Sequence, residues 1–281
     1  MKDNVIDFEA RYYLNKLSEA KSKLLNQDFK GAIEVLDDPC KKIDKLLDTE
    51  LYCPQNIFES AVCLNLLGKD VYQRNFSRIN FYEFYKLMAS SYNNLGDKKK
   101  AKDFYNKAIK LDPVSLFARI SEMELSLELK EYDDFLTKIQ DAMYFAYSRQ
   151  DMAKVYDLAG DYLVYKEDYE MALVSYNLSN IYVLKDEMAS KIEDVAKNAE
   201  IDLDSKSFLA EDYMRKFYNT YKIALMPNPN IVKLSLTIAK DAYDKMDCCA
   251  SKLCYEVAYD LTYDESLKPI IEELANKCKK K

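Results

Sequence analysis

The chain of 281 residues sets 41 Lys and Arg against 48 Asp and Glu, a net charge of −7 that excludes nucleic-acid binding through a basic footprint. Four Gly and six Pro are too few for the turns of a sheet protein, so long helices with short connections are expected. Histidine is absent, which removes the commonest acid–base group near neutral pH and the commonest metal ligand.

The opening, MKDNVIDFEARYY, lacks the charged-then-apolar plan of a secretory leader, and apolar runs stop short of the roughly 18 residues that span a bilayer. A cytoplasmic setting is therefore expected, with the seven irregularly spaced cysteines as reduced thiols. The first helical signature is DFKGAIEVL, in which small Ala32 is followed four residues later by Leu36. Residues 37 to 81 are irregular. Asp37-Asp38-Pro39 and Cys53-Pro54-Gln55-Asn56 punctuate the chain, AVCLNLLGKDVY falls in a degenerate unit, and RNFSRIN reads as a loop.

The clearest pattern is YKLMASSYNNLGDKKKAKDFYNKAIKLDP, residues 85–113. Tyr85, Met88, Ala89 and Tyr92 form an i, i+3, i+4, i+7 stripe, and Asn93 to Asp97 supply a break. Ala101, Tyr105 and Ala108 form a second stripe, which Pro113 stops. Further on, EYDDFLTKIQDA places Phe135, Ile139 and Ala142 in similar positions. VYDLAGDYLVY sets Tyr156, Ala159 and Gly160 ahead of DYEMALVSY, with its Ala172 and Tyr176. SFLAEDYM offers Ala210 and Met214; then Pro227 and Pro229 break the chain before DCCASKLCY, with Ala250 and Cys254. Intervals of 34, 37, 38 and 40 residues separate positions 101, 135, 172, 210 and 250, and the 69 residues from 32 to 101 read as about two units.

Tyr85, Met88-Ala89, Tyr92, Ala101, Tyr105, Ala108 and Pro113 together resemble the tetratricopeptide repeat (TPR). That resemblance implies an all-α fold, a TPR-like antiparallel helix-hairpin solenoid forming a right-handed superhelix of about fourteen helices. It is read as a single domain over 1–281, with divergent hairpins in 1–81, the best-formed repeats in 82–226 and C-terminal helices in 227–281. From about 82 to 275 the series also resembles the soluble NSF attachment proteins, the SNAPs. The resemblance is carried by Asp168, Tyr169, Ala172, Tyr176 and Tyr182, then Ala189, Ala196 and Ala210, and near the end by Tyr255, Glu256, Asp264, Ser266 and Leu274. It implies a curved array that grips SNARE complexes and recruits a hexameric ATPase that pulls them apart. The family's membrane-touching loop and its last acidic helix have no counterpart in this sequence.

The residues offer no catalytic, cofactor-binding or metal-ligating set. Lys98, Lys99, Lys100 and Lys102 are the candidate partner-binding residues, because lysines at a helix start oppose the helix dipole and so favour a surface role. Tyr85, Tyr92, Tyr105, Tyr156, Tyr176 and Tyr182 at helical spacing are expected as packing. Cys248, Cys249 and Cys254 lack the spacing of a zinc site and are expected as buried or inert thiols. Asp37-Asp38 and Asp133-Asp134 are placed at helix ends, and the tail from Lys277 to Lys281 reads as a basic helix end. The reading is a non-enzymatic cytosolic adaptor for protein partners, SNAP-like in its narrower form, without nucleic acid and at most peripheral at membranes. The alternative is a generic TPR interaction module, or a subunit of a large assembly, that binds a peptide or partner protein. The oligomeric state is left open.

Overall fold

A computed structural model describes residues 2–47, 51–66, 75–76 and 79–278. Parts of the AVCLNLLGKDVY and RNFSRIN segments and the last three lysines lie outside the described residues. Fourteen α-helices and one two-stranded ladder are present among the described residues, so the all-α expectation holds. The chain divides into two compact units, Met1–Leu129 and Lys130–Lys281.

In the first unit, α1 (Lys2–Leu25) and α2 (Phe29–Asp44) form one hairpin, and α4 (Phe81–Asn94) and α5 (Lys98–Leu111) form another. Between them lie strand β1 (Leu51–Tyr52), α3 (Ile57–Leu66) and strand β2 (Asn75–Phe76); α6 (Leu116–Glu128) follows. The second unit holds α7 (Phe135–Phe145), the hairpin of α8 (Arg149–Tyr165) and α9 (Tyr169–Tyr182), then α10 (Asp186–Asn198) and α11 (Glu211–Tyr221). It closes with the hairpin of α12 (Pro229–Asp244) and α13 (Cys248–Thr262), a short 3-10 turn and α14 (Lys268–Cys278).

One turn builds all four hairpins. Gln27, Gly96, Glu167 and Met246 take left-handed backbone, with φ of 58°, 81°, 60° and 62°. The next residue is aspartate each time: Asp28, Asp97, Asp168 and Asp247. Each aspartate N–H donates back to the first helix, to the carbonyls of Lys23, Tyr92, Leu163 and Ala242 at 2.9–3.0 Å, as in a Schellman C-cap. Its carboxylate then accepts the N–H three residues on, from Gly31, Lys100, Met171 and Ala250, and so caps the second helix. A single residue thus ends one helix and starts the next.

Four residues past each aspartate is the position where the two helix backbones close on each other. Ala32, Ala101, Ala172 and Ser251 occupy it, all fully buried. The C-terminal register is therefore one residue later than the expected Ala250, and the Ser251 hydroxyl crosses to the Ala239 carbonyl of α12 at 2.8 Å. Four residues further stand Leu36, Tyr105, Tyr176 and Tyr255. The expected second-helix pair at Ala210 and Met214 is also corrected. A left-handed Glu200 ends α10 as in the other turns, but no capping aspartate follows, and α11 starts only at Glu211 with Ala210 as its uncapped N-cap. Phe217, not Ala210, is the fully buried residue there.

In the first unit, α1 and α2 pack directly on α4, with the Tyr13 ring edge-on to Phe81 and Phe84 at 5.1 and 5.7 Å. The 69-residue interval therefore places consecutive hairpins on each other with an inserted segment, where two stacked units were expected. Pro39, read as a break, lies inside α2: burial of Pro39, Cys40 and Ile43 outweighs a lost helix hydrogen bond that costs about 3 kcal/mol. Asp37 and Asp38 are consequently mid-helix and pair with Lys41 and Lys42 one turn on, at 2.6 and 2.7 Å. The inserted segment closes on the foot of α5, where the Cys53 N–H donates to the Leu111 carbonyl at 2.8 Å.

Neighbouring helices are joined by a recurring trio of side chains. The Tyr85 hydroxyl donates to Asp44 at 2.7 Å, and Lys107 reaches the same carboxylate at 2.8 Å while lying over the Tyr85 ring. In the second unit the Tyr176 hydroxyl donates to Asp161 at 2.7 Å, and Lys191 binds Asp161 at 2.8 Å and Asp157 at 2.6 Å above the Tyr176 ring. The first trio ties α2 to α4 and α5; the second ties α10 to the α8–α9 hairpin. Tyr221 at the end of α11 donates to Asp168, the capping aspartate itself, at 2.6 Å.

Two predictions follow from this packing. A Cβ on Gly160 would stand 2.3 Å from a Tyr176 ring carbon. Gly160→Ala should therefore lower stability by up to about 2 kcal/mol, overpacking of about 1–3 kcal/mol exceeding the helix-propensity gain of about 1 kcal/mol; a higher urea midpoint would refute the contact. At the foot of α5, burial and then the adjoining Glu59 carboxylate push the Asp112 carboxyl up to about 8. A folded-state pKa above the unfolded 3.8 means the native state holds the extra proton, so this stabilisation is full at low pH and drains away as pH rises from about 4 to about 8. Thermal melts should show stability falling across that window, and the fall should be absent in Asp112→Asn. Equal slopes in the two proteins would refute the assignment.

Candidate interaction surface

The four candidate lysines sit at the start of α5, where three are engaged within the first unit. Lys98 pairs with Glu128, and Lys100 with Asp97 at 3.0 Å while lying 5.0 Å above the Tyr92 ring. Lys102 lies 3.6 Å from Glu122, a buried carboxylate that also accepts the Ser126 hydroxyl. Lys99 alone of the four is exposed with no ion pair among the described residues. The repeat-defining residues Tyr85, Ala89, Ala101, Tyr105 and Ala108 are buried in the first unit, and Tyr92 stacks on Phe104 at 5.6 Å. Pro113 lies just past α5, its carbonyl accepting from Arg119 at 2.9 Å. Gly160, Ala172 and Tyr176 meet at the α8–α9 crossing, all buried.

The open apolar surface lies elsewhere, in the second unit. Residues Met226, Pro227 and Pro229, the α12 residues Val232 and Leu236, and Leu261 at the end of α13 line a groove of about 650 Å³. Pro229 starts α12 at a position that needs no backbone donor, and the Asn228 side chain caps the helix at Asn230 while donating to the Tyr144 carbonyl at 2.9 Å. The irregular segment that leads to the groove is fixed by the Tyr156 hydroxyl, which donates to the Ala224 carbonyl at 2.6 Å. Met226 is 71% exposed and Leu236 37% exposed, so the groove presents apolar surface to solvent.

Arg149 anchors the same region. Its backbone N–H donates to Asp260 at 2.7 Å, its guanidinium donates to the Tyr182 carbonyl at 3.0 Å, and it lies between the Tyr182 and Tyr263 rings at 4.9 and 4.2 Å. Along α12, Lys233 lines the groove, and Lys240, two turns or about 10 Å further on, lines a neighbouring hollow with Asp241 and Asp244. Sequence reasoning missed this groove, although a signal exists: Ile231, Ser235 and Ala239 mark the buried stripe, and Val232 and Leu236 are apolar one residue out of phase with it.

Of the cysteines expected as buried or inert, Cys254 is buried and burial pushes its thiol up to about 11. Cys249 is exposed and Cys248 half-buried, in the first turn of α13. No group of three or more metal-ligating side chains occurs among the described residues, and no described helix is long and apolar enough to cross a membrane.

These features define an all-α protein of TPR-like helix hairpins. Residues 82–115, which carry α4 and α5, match the tetratricopeptide repeat family. Among solved structures the chain is similar to a tetratricopeptide repeat protein from Parabacteroides merdae, at 13% identity over 94% of this chain and 99% of that one, with a TM-score of 0.38. No curated protein matches the chain.

Because Met226 is 71% exposed and Leu236 lies on the open side of α12, Met226→Glu should change stability by no more than about 0.5 kcal/mol and Leu236→Glu by about 1 kcal/mol or less. Both should reduce the fluorescence gained by a hydrophobic dye on the folded protein. Loss of folding in both variants would show that the groove is packed core.

Proposed function

We propose that the chain is a non-catalytic protein-interaction scaffold whose working surface is the α12 groove. The observation that carries this reading is the coincidence of exposed Met226 and Leu236 and half-buried Val232 with Lys233 in the groove wall and Lys240 two turns further along α12. The occupant that fits is an apolar helical or extended segment of a partner protein, flanked by acidic side chains that meet the two lysines. The Lys98 to Lys102 run serves this role less well, since three of its cations are committed to Glu128, Asp97 and Glu122. Seven cysteines present as thiols support a cytosolic setting for the same role.

Selection of peptides from a displayed random library tests the reading. Enriched peptides should carry an apolar core with acidic flanks, and Leu236→Glu should weaken them about tenfold or more, with Lys233→Glu acting in the same direction. Peptides whose binding is indifferent to both substitutions would overturn the assignment of the surface.

The narrower form of the proposal is a SNAP-like adaptor between SNARE complexes and a hexameric ATPase. Its support is the tyrosine-rich run from Asp168 to Tyr182, which forms the turn and second helix of the α8–α9 hairpin. On that reading the protein co-sediments with a reconstituted SNARE bundle, and reversal of Lys98, Lys99, Lys100 and Lys102 to Glu weakens the association. Absence of co-sedimentation removes the narrower form and leaves the peptide-binding form to its own experiment.

A further inference from the structure

Four of the seven cysteines, Cys40, Cys53, Cys63 and Cys254, are buried, and burial drives the Cys40 thiol up to about 12. Such groups are closed to oxidants and poor in thiolate. The accessible thiols cluster at one place in the second unit. Cys249 is exposed in the first turn of α13, and Cys278 is the last residue of α14, 29 positions along the chain. Their sulfurs lie 3.0 Å apart, with the Cys249 S–H directed at Cys278. Cys248 is aimed elsewhere, toward the Met246 carbonyl at 3.8 Å.

The helix that carries Cys278 is lightly held. Leu274 is its one fully buried residue among those described, helped by Glu273, which accepts from the Tyr243 hydroxyl at 3.3 Å, and by Lys277 over the Tyr243 ring at 5.4 Å. A covalent tie at its far end would change how firmly it docks, because the other attachments are few and exposed.

We propose that Cys249 and Cys278 form a redox modification site, at which a hydroperoxide oxidant closes a disulfide that fastens α14 to the start of α13. The exposed Cys249 meets the oxidant first. Its thiolate attacks a peroxide oxygen, the O–O bond breaks, and a sulfenic acid forms as the departing hydroxide takes up a proton to become water. Cys278 then attacks the sulfenic sulfur: the S–S bond forms, the S–O bond breaks, and the hydroxyl leaves with the Cys278 proton as a second water. Two thiols and one hydrogen peroxide give one disulfide and two waters, the two electrons passing from sulfur to oxygen. Contact with Cys249 and partial desolvation raise the Cys278 thiol to about 11, so it rests as the protonated, resolving partner, with Cys248 and Lys252 as its other charged or titratable neighbours. The site is independent of the α12 groove and does not rest on the scaffold reading.

The experiment uses the full chain, reduced, desalted and treated with a small excess of hydrogen peroxide. Intact mass should fall by two hydrogens, and non-reducing digestion should yield one linked peptide pair joining Cys249 to Cys278. Amide exchange in 268–278 should slow by about tenfold or more on oxidation and return on reduction. Cys248→Ser should behave as the parent, whereas Cys249→Ser and Cys278→Ser should lose both the link and the slowing. A link from Cys248 to Cys278, links only between molecules, or sulfenic and sulfinic products that never resolve would each overturn the proposal. So would a Cys249–Cys278 bond that leaves exchange in α14 unchanged.

Discussion

Everything in the architecture rests on an aspartate that is shared by two helices. By donating its N–H to the helix behind it and accepting with its carboxylate from the helix ahead, it fixes the exit and the entry of the chain within one residue. The left-handed residue before it reverses the direction, and only Gly96 among the four does so without a side chain to strain. Once this reversal is set, position four past the aspartate always meets the partner helix, which is why only alanine or serine stands there. Large side chains are then needed around the close approach, and leucine and tyrosine supply them one turn on.

Successive helices have no such turn in common and are tied by side chains instead. The tyrosine–aspartate–lysine trios use a carboxylate that accepts from both partners, with the ammonium resting on the ring of the same tyrosine. This suits a chain with no histidine and few tightly enclosed charges: polar groups are satisfied in small sets along the seams. Asp112 and Glu59 are the exception, two carboxyls brought together where an inserted segment closes on the foot of a helix. Surface left over from these demands includes the apolar groove at α12.

The hairpins were legible because their signal is local. Stripes such as Ala101, Tyr105 and Ala108 repeat at the helical period, and the break at Asn93 to Asp97 announces itself by residue type. Register was less legible where two small residues adjoin: Ala250 and Ser251 both suit the crossing, and only the capping Asp247 decides between them. Glu200 shows the opposite failure, since a helix can end in the familiar way without a second helix starting beside it. Pro39 misled because the burial that keeps it helical comes from distant residues. The groove was hidden for the same reason, as apolar residues one step out of phase look like noise until Leu261 and Met226 are seen beside them.

The same hydroxyl-to-carboxylate bonds have an optical consequence. With 24 tyrosines and no tryptophan, the ultraviolet emission of this molecule comes from phenol rings alone. Tyr85, Tyr176 and Tyr221 each donate to an aspartate, an arrangement that drains the excited state of those three rings by proton loss. Separating the helices frees those rings, so the protein brightens as it comes apart and carries its own lamp for watching each unit open.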